Sequence, residues 1–156
     1  MSRRNKIRLS DEEIRDFLAN RKTVIVCSNG PNGFPHTMPM WFAVDDDGTI
    51  RMTTFRKSQK VKNLQRDPRL TVLVEDGIDY FELRGVVFYG KCEIVDDIEV
   101  VKDTMVRITA REAGDDPAAL EGMKSVITGT AEKRVGLLIR PERIVSWDHR
   151  KLGGTY

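Results

Sequence analysis

The stretch from Tyr80 to Val95 alternates as a strand, setting Phe81, Leu83, Gly85, Val87 and Tyr89 against Glu82, Arg84, Val86, Phe88, Gly90, Cys92 and Ile94. Two glycines, Gly85 and Gly90, sit inside it. Glycine within a strand marks a bulge or a close approach of another group, and barrel strands need both to bend. This strand therefore belongs to a sheet that curls.

Its neighbours come in short, mostly hairpin-linked pieces. Ser10-Asp11-Glu12-Glu13 is a capping box, opening a helix with Ile14, Phe17 and Leu18 as its apolar stripe and Asn20 at its end. Thr23–Ser28 is β-branched and reads as a strand, and Asn29-Gly30-Pro31-Asn32-Gly33 is a turn. Phe34–Val44 is apolar, and Pro39 within it implies an edge strand or a bulge, with a bend at that point. Asp45-Asp46-Asp47-Gly48 is a hairpin turn, lacking the spaced ligands of a calcium loop. Thr49–Thr54 returns as a strand.

A short helix follows, with Val61 and Leu64 towards the core, Lys60 and Asn63 on the flank and Lys62 pointing elsewhere. Asp67-Pro68 stops it and Leu70–Val74 is a strand. Residues 97–112 and 117–131 read as helices, the second with Pro117 near its start, and Val135–Ile139 and Arg143–Trp147 close the sheet. Tyr80 and Tyr89 read as strand residues packed on the barrel. No repeat or linker divides residues 1–156, which read as one domain, mostly β with α additions: a small antiparallel barrel.

Composition excludes more than it selects. The net charge is +2 with a sequence pI near 8.6, so nothing global calls for nucleic acid. Cys27 and Cys92 lie in separate apolar runs and read as buried, reduced thiols, with no zinc-ligand spacing. No apolar segment follows the basic Met1–Lys6 stretch and none approaches membrane-spanning length, so the expectation is a cytoplasmic protein without a membrane partner.

Positive charge matters where it clusters, between Thr53 and Arg69. Thr53, Thr54 and Ser58 offer hydroxyl donors, Arg56, Lys57, Lys60 and Lys62 offer charge, and a helix beginning near Ser58 adds unpaired N–H groups. That combination suits a phosphate. The same charges also suit a solvated helix face, although such a face needs neither Thr53 nor Thr54.

Four pieces in this order resemble the split β-barrel flavin and deazaflavin oxidoreductases related to pyridoxamine 5′-phosphate oxidase: Gly33–Phe42, Thr53–Arg69, Gly85–Val95 and Pro141–Asp148. The resemblance implies a split barrel, a homodimer, and FMN or the deazaflavin coenzyme F420 in a groove between subunits. Carried over by position, Thr53, Thr54 and Lys60 match the phosphate-binding places, with Arg56, Lys57 and Ser58 beside them. Met38, Pro39, Met40 and Trp41 match the strand along the tricyclic ring. His36 adjoins that strand, either lining the pocket or half-exposed. His149, the other histidine, reads as a surface residue or a contact to the partner's cofactor.

The ending Trp147–Tyr156 lacks the Arg-Leu-x-Pro-type terminus of true pyridoxamine phosphate oxidases, which argues against a vitamin B6 substrate. The resemblance thus implies a reductase passing hydride between F420 or FMN and a small unsaturated or quinone-like molecule. A carrier that binds the cofactor without turnover is the alternative. A nucleic-acid-binding barrel is weaker, because Phe55 alone is aromatic within the basic cluster. A second basic strip, from Arg66, Arg69, Arg150 and Lys151, would favour the acidic tail of F420.

Overall fold

The structure, a computed structural model, describes residues 3–114 and 116–154. Met1, Ser2, Thr155 and Tyr156 of the two ends lie outside the described residues. In chain order the elements are α1 (Arg3–Lys6), α2 (Asp11–Ala19), β1 (Thr23–Asn29), β2 (Pro35–Trp41), β3 (Ala43–Val44), β4 (Ile50–Phe55), α3 (Gln59–Arg66), β5 (Arg69–Asp76), β6 (Arg84–Val95), α4 (Ile98–Ala113), α5 (Pro117–Ala131) and β7 (Arg134–Asp148). The strands form one antiparallel sheet in the order β2-β1-β5-β6-β7-β4-β3. It is a split barrel: the sheet curls and leaves β2 and β3 as free edges.

Parity along the strands builds the core. Val24, Val26, Ile50, Met52, Val72, Val74, Val86, Phe88, Leu137 and Ile139 face inward, where α2 adds Ile14, Phe17 and Leu18 and α3 adds Val61 and Leu64. The capping box holds α2 as expected, with Glu13 N–H donating to Ser10 Oγ at 3.2 Å and Ser10 N–H donating to Glu13 Oε2 at 2.6 Å. The glycines of β6 are sites of close approach. A Cβ on Gly85 would stand 2.5 Å from the Trp147 ring, and one on Gly90 would stand 2.6 Å from the Arg140 carbonyl oxygen.

Several expectations are corrected. Pro39 does lie on an edge strand, but β2 pairs with β1 without a register shift, and the break falls at Phe42, buried between β2 and β3. Tyr80 is in a 3₁₀ turn (Tyr80–Glu82), so the strand begins at Arg84; Tyr89 does lie on it. The closing material is one strand, because β7 absorbs the irregularity as a bulge: Tyr89 faces Arg143 while Gly90 faces Pro141. Lys60 and Asn63 are buried rather than flanking, whereas Lys62 is exposed. Cys92 is buried and Cys27 half-buried, both free thiols.

α4 and α5 are an insertion between two strands that are already neighbours, since β6 and β7 pair as far as Val95 and Gly136. α4 lies over the outer face of β4 and β7, where Val100 Cγ1 comes within 3.6 Å of the space a Cβ on Gly136 would fill.

Candidate functional site

β4 carries both threonines of the basic segment, and strand alternation separates them. Thr54 turns inward with Ile50 and Met52 and is buried; Thr53 lies on the opposite face. After Phe55 the chain turns, Ser58 N–H donating to the Phe55 carbonyl at 2.9 Å, and Ser58 becomes the N-cap residue of α3. Its hydroxyl makes no capping bond. It lies 3.3 Å from Thr54 Oγ1 instead.

Lys60 is the second residue of α3. Helical side chains lean towards the N-terminus, which brings its ammonium back over the turn onto Thr54. Lys60 Nζ donates to Thr54 Oγ1 at 3.1 Å. On the same helix, Asn63 Nδ2 donates to Ser28 Oγ at 3.2 Å, and Gln59 Nε2 donates to Asn63 Oδ1 at 2.9 Å. These bonds tie α3 to β1 and explain why Asn63 is fully buried.

The closing strand adds a residue that the sequence did not nominate. Arg134 stands opposite Phe55, with its guanidinium carbon 4.3 Å from that ring's centre. Its Nε is buried without a hydrogen-bond partner. Burial lowers the Arg134 pKa, and burial together with the nearby Arg134 charge lowers that of Lys60. Among the described residues neither cation forms an ion pair. Two desolvated like charges without a counter-ion are costly, and an anion placed between their donors would offset that cost. The donor set, one ammonium, one guanidinium and two hydroxyls, is the kind a phosphate ester accepts.

The other basic residues are engaged elsewhere or exposed to solvent. Arg56 is hydrogen-bonded to Asp96 and also donates to the carbonyls of Glu132 and Arg134 at 3.3 and 3.4 Å, so it staples the loop to the start of β7. Lys57 is exposed. Of the residues considered for an acidic tail, Arg69 pairs with Asp67 at 2.7 Å, Arg150 with Asp148 at 2.6 Å and Lys151 with Glu13 at 2.7 Å. Arg66 is bonded to the Asn29 carbonyl.

Beside the cradle a cavity of about 480 Å³ opens between the β2 edge and the inserted helices. Its walls include Pro39, Met40 and Trp41 of β2, Thr53 of β4 and Arg134 of β7. Arg134 therefore joins the two groups, Thr54–Ser58–Lys60 on one side and Thr53 with the β2 residues on the other. Trp41, 57% exposed, is a cavity wall and no core anchor. His36 and Met38 lie farther along β2, opposite Ser28 and Val26, and are not among the cavity walls. His149 is remote from both groups in the fold, its Nδ1 2.8 Å from the Tyr80 carbonyl oxygen. A second cavity, of about 700 Å³, lies between α2 and the β3–β4 hairpin and contains none of the predicted residues.

Residues 10–148 match the family described as pyridoxamine 5′-phosphate oxidase. No protein with a curated description matches the sequence. Among solved structures, a conserved hypothetical protein from Mycobacterium tuberculosis is 41% identical with a TM-score of 0.87, the match covering 100% of this chain and 95% of that one. A protein described as an F420 reductase is 24% identical with a TM-score of 0.62, over 83% of this chain and 94% of that one. A FAD-binding protein from Mesorhizobium loti is 17% identical with a TM-score of 0.59, over 88% and 92%. The last two likenesses are of fold.

Proposed function

Because the chain belongs to the pyridoxamine 5′-phosphate oxidase family, we propose that it is an oxidoreductase using FMN or coenzyme F420 to reduce a small unsaturated or quinone-like molecule. One observation carries the reading: Lys60 is buried and Arg134 half-buried with its Nε enclosed, both without a carboxylate partner among the described residues, beside the Thr54 and Ser58 hydroxyls. In this reading Lys60, Thr54 and Ser58 hold the cofactor's phosphate, with Arg134 as the second cation. Pro39, Met40 and Trp41 flank the ring, and Thr53 faces the same cavity. When bound, such a cofactor would supply a hydride, two electrons and one proton, to an acceptor that would take its second proton from solvent. The chain's own part is to position the ring and shield it from water, so a catalytic triad is not required.

We also propose a homodimer with the cofactor between subunits. The outer sheet face carries a cross-strand row, Pro39, Ile25, Leu73, Val87 and Val145, aligned through five strands. All five are apolar and incompletely buried. Such a surface suits a second copy of the chain.

The test is titration with FMN and with F420, followed by fluorescence, and then oxidation of the reduced cofactor by menadione. Binding with turnover supports the enzyme. Binding without turnover would make the protein a carrier, and failure to bind either cofactor would remove both readings.

A further inference from the structure

We propose that the α4–α5 hairpin is the substrate-selecting wall of the 480 Å³ cavity, and that it admits flat, uncharged carbonyl compounds, quinones and enones, in preference to charged ones. The proposal rests on the reading above, which places the cofactor ring against β2 on the opposite wall.

The first support is topological. β6 and β7 are adjacent antiparallel strands, and a tight hairpin would join them. The chain instead inserts two helices, and long insertions within compact domains are commonly functional.

The second support is the chemistry of the wall. Met105 and Ile108, three apart on α4, and Met123, Val126 and Ile127, at positions three and four apart on α5, present their side chains to the cavity. None is ionisable, in a chain whose residues are 32% charged. The described charged side chains of α4 serve elsewhere: Asp103 and Arg107 pair with each other at 2.8 Å, Lys102 pairs with Glu99 at 3.1 Å, and Arg111 donates to the Leu18 and Arg21 carbonyls. Thr130, also in the wall, gives its hydroxyl to the Val126 carbonyl at 2.9 Å and so is already satisfied.

A charged ligand would be desolvated against methionine and aliphatic side chains, with the Thr109 and Thr130 hydroxyls as the only polar side-chain groups of this wall among the described residues. Among the described residues the one charged side chain lining the cavity is Arg134, which repels cations and, in the reading above, is occupied by the cofactor's phosphate. A neutral flat ring loses little hydration and gains contact with adaptable methionine side chains. Val126 is 61% exposed although apolar, an uncovered hydrophobic surface at the wall.

The test uses menadione as the neutral probe and the full chain without cofactor. Trp41 lines the cavity whereas Trp147 packs on Gly85, so menadione should quench chiefly Trp41. Trp41→Phe should remove most of the quenching. Val126→Asp, at an exposed position that leaves the fold intact, should weaken menadione binding by about tenfold, equivalent to ~1.4 kcal/mol. Val126→Leu should retain it, and FMN and F420 affinities should stay unchanged in both Val126 variants. Unchanged menadione affinity in Val126→Asp, or quenching that survives Trp41→Phe, would overturn the proposal. Menadione binding that follows this pattern while neither cofactor binds would count against the cofactor reading alone.

Discussion

Arg134 lies close enough to Lys60 to depress its pKa, and neither is matched by a carboxylate among the described residues. In the surrounding segment Arg56 is neutralised by Asp96 and Arg69 by Asp67, while Lys57 and Lys62 are exposed to solvent. The pair is therefore the position where an external anion gains most.

Lys60→Met tests this directly. The variant keeps the stem and removes the buried charge, so cofactor affinity should fall by about 1–3 kcal/mol, the worth of a charge-assisted hydrogen bond. Stability should be retained or rise, since an uncompensated buried cation is lost. Fluorescence titration and thermal melting together check both parts. Arg56→Gln should change cofactor affinity far less, because its guanidinium is committed to Asp96 and two carbonyls.

The depressed Lys60 pKa has a defined sign. Its folded value lies below the ordinary 10.5, so between the two the unfolded chain binds more protons. Lys60 therefore penalises the cofactor-free fold below its folded pKa, and the penalty fades as pH rises from that value towards 10.5. Melting in steps across this alkaline window should show a stability gain in the wild type that Lys60→Met lacks. Over the same window cofactor affinity should fall, because the ammonium deprotonates, and calorimetry in buffers of different ionisation enthalpy should detect proton uptake on binding.

The outer row offers a test of assembly. Leu73→Arg places a charge in the middle of the Pro39–Ile25–Leu73–Val87–Val145 line. Wild type should sediment at the mass of two chains and the variant at the mass of one. Cofactor affinity should fall with it if the groove is shared between subunits. A wild-type monomer that binds cofactor normally would rule this out.

Gly85→Ala should destabilise the fold by about 1–3 kcal/mol, the usual range for overpacking. The new methyl would stand 2.5 Å from the Trp147 ring, which must shift. A lowered midpoint in denaturant with an unchanged slope would show it, and the paired variant Gly85→Ala with Trp147→Leu should recover part of the loss.

Much of the fold was legible in local chemistry. The Ser10–Glu13 box, the glycines of β6 and the edge position of Pro39 each follow from a backbone constraint that the residue itself imposes. The failures were also local. Tyr80 continues an alternating pattern but sits in a 3₁₀ turn, because periodicity does not say where pairing begins. The two closing segments merged because a bulge absorbs the irregularity around Pro141 without ending the strand.

The candidate site divides along the same line. That Thr54, Ser58 and Lys60 belong together could be read from one strand, one turn and one helix, since six residues of chain bring them within hydrogen-bonding distance. Arg134 could not, because only the pairing of β4 with β7 sets it opposite Phe55. Lys60 looked like a flank residue, and its burial depends on how α3 docks against β1 through Asn63 and Ser28. The apolar wall of α4 and α5 had no sequence signature beyond helical spacing, since which face of a helix meets a cavity depends on its packing partner. The sequence by itself determined the cluster of hydroxyl and cationic side chains and the strand and helix that present it. Tertiary structure alone decided which charges were left uncompensated, because compensation is a matter of distance between residues far apart in the chain.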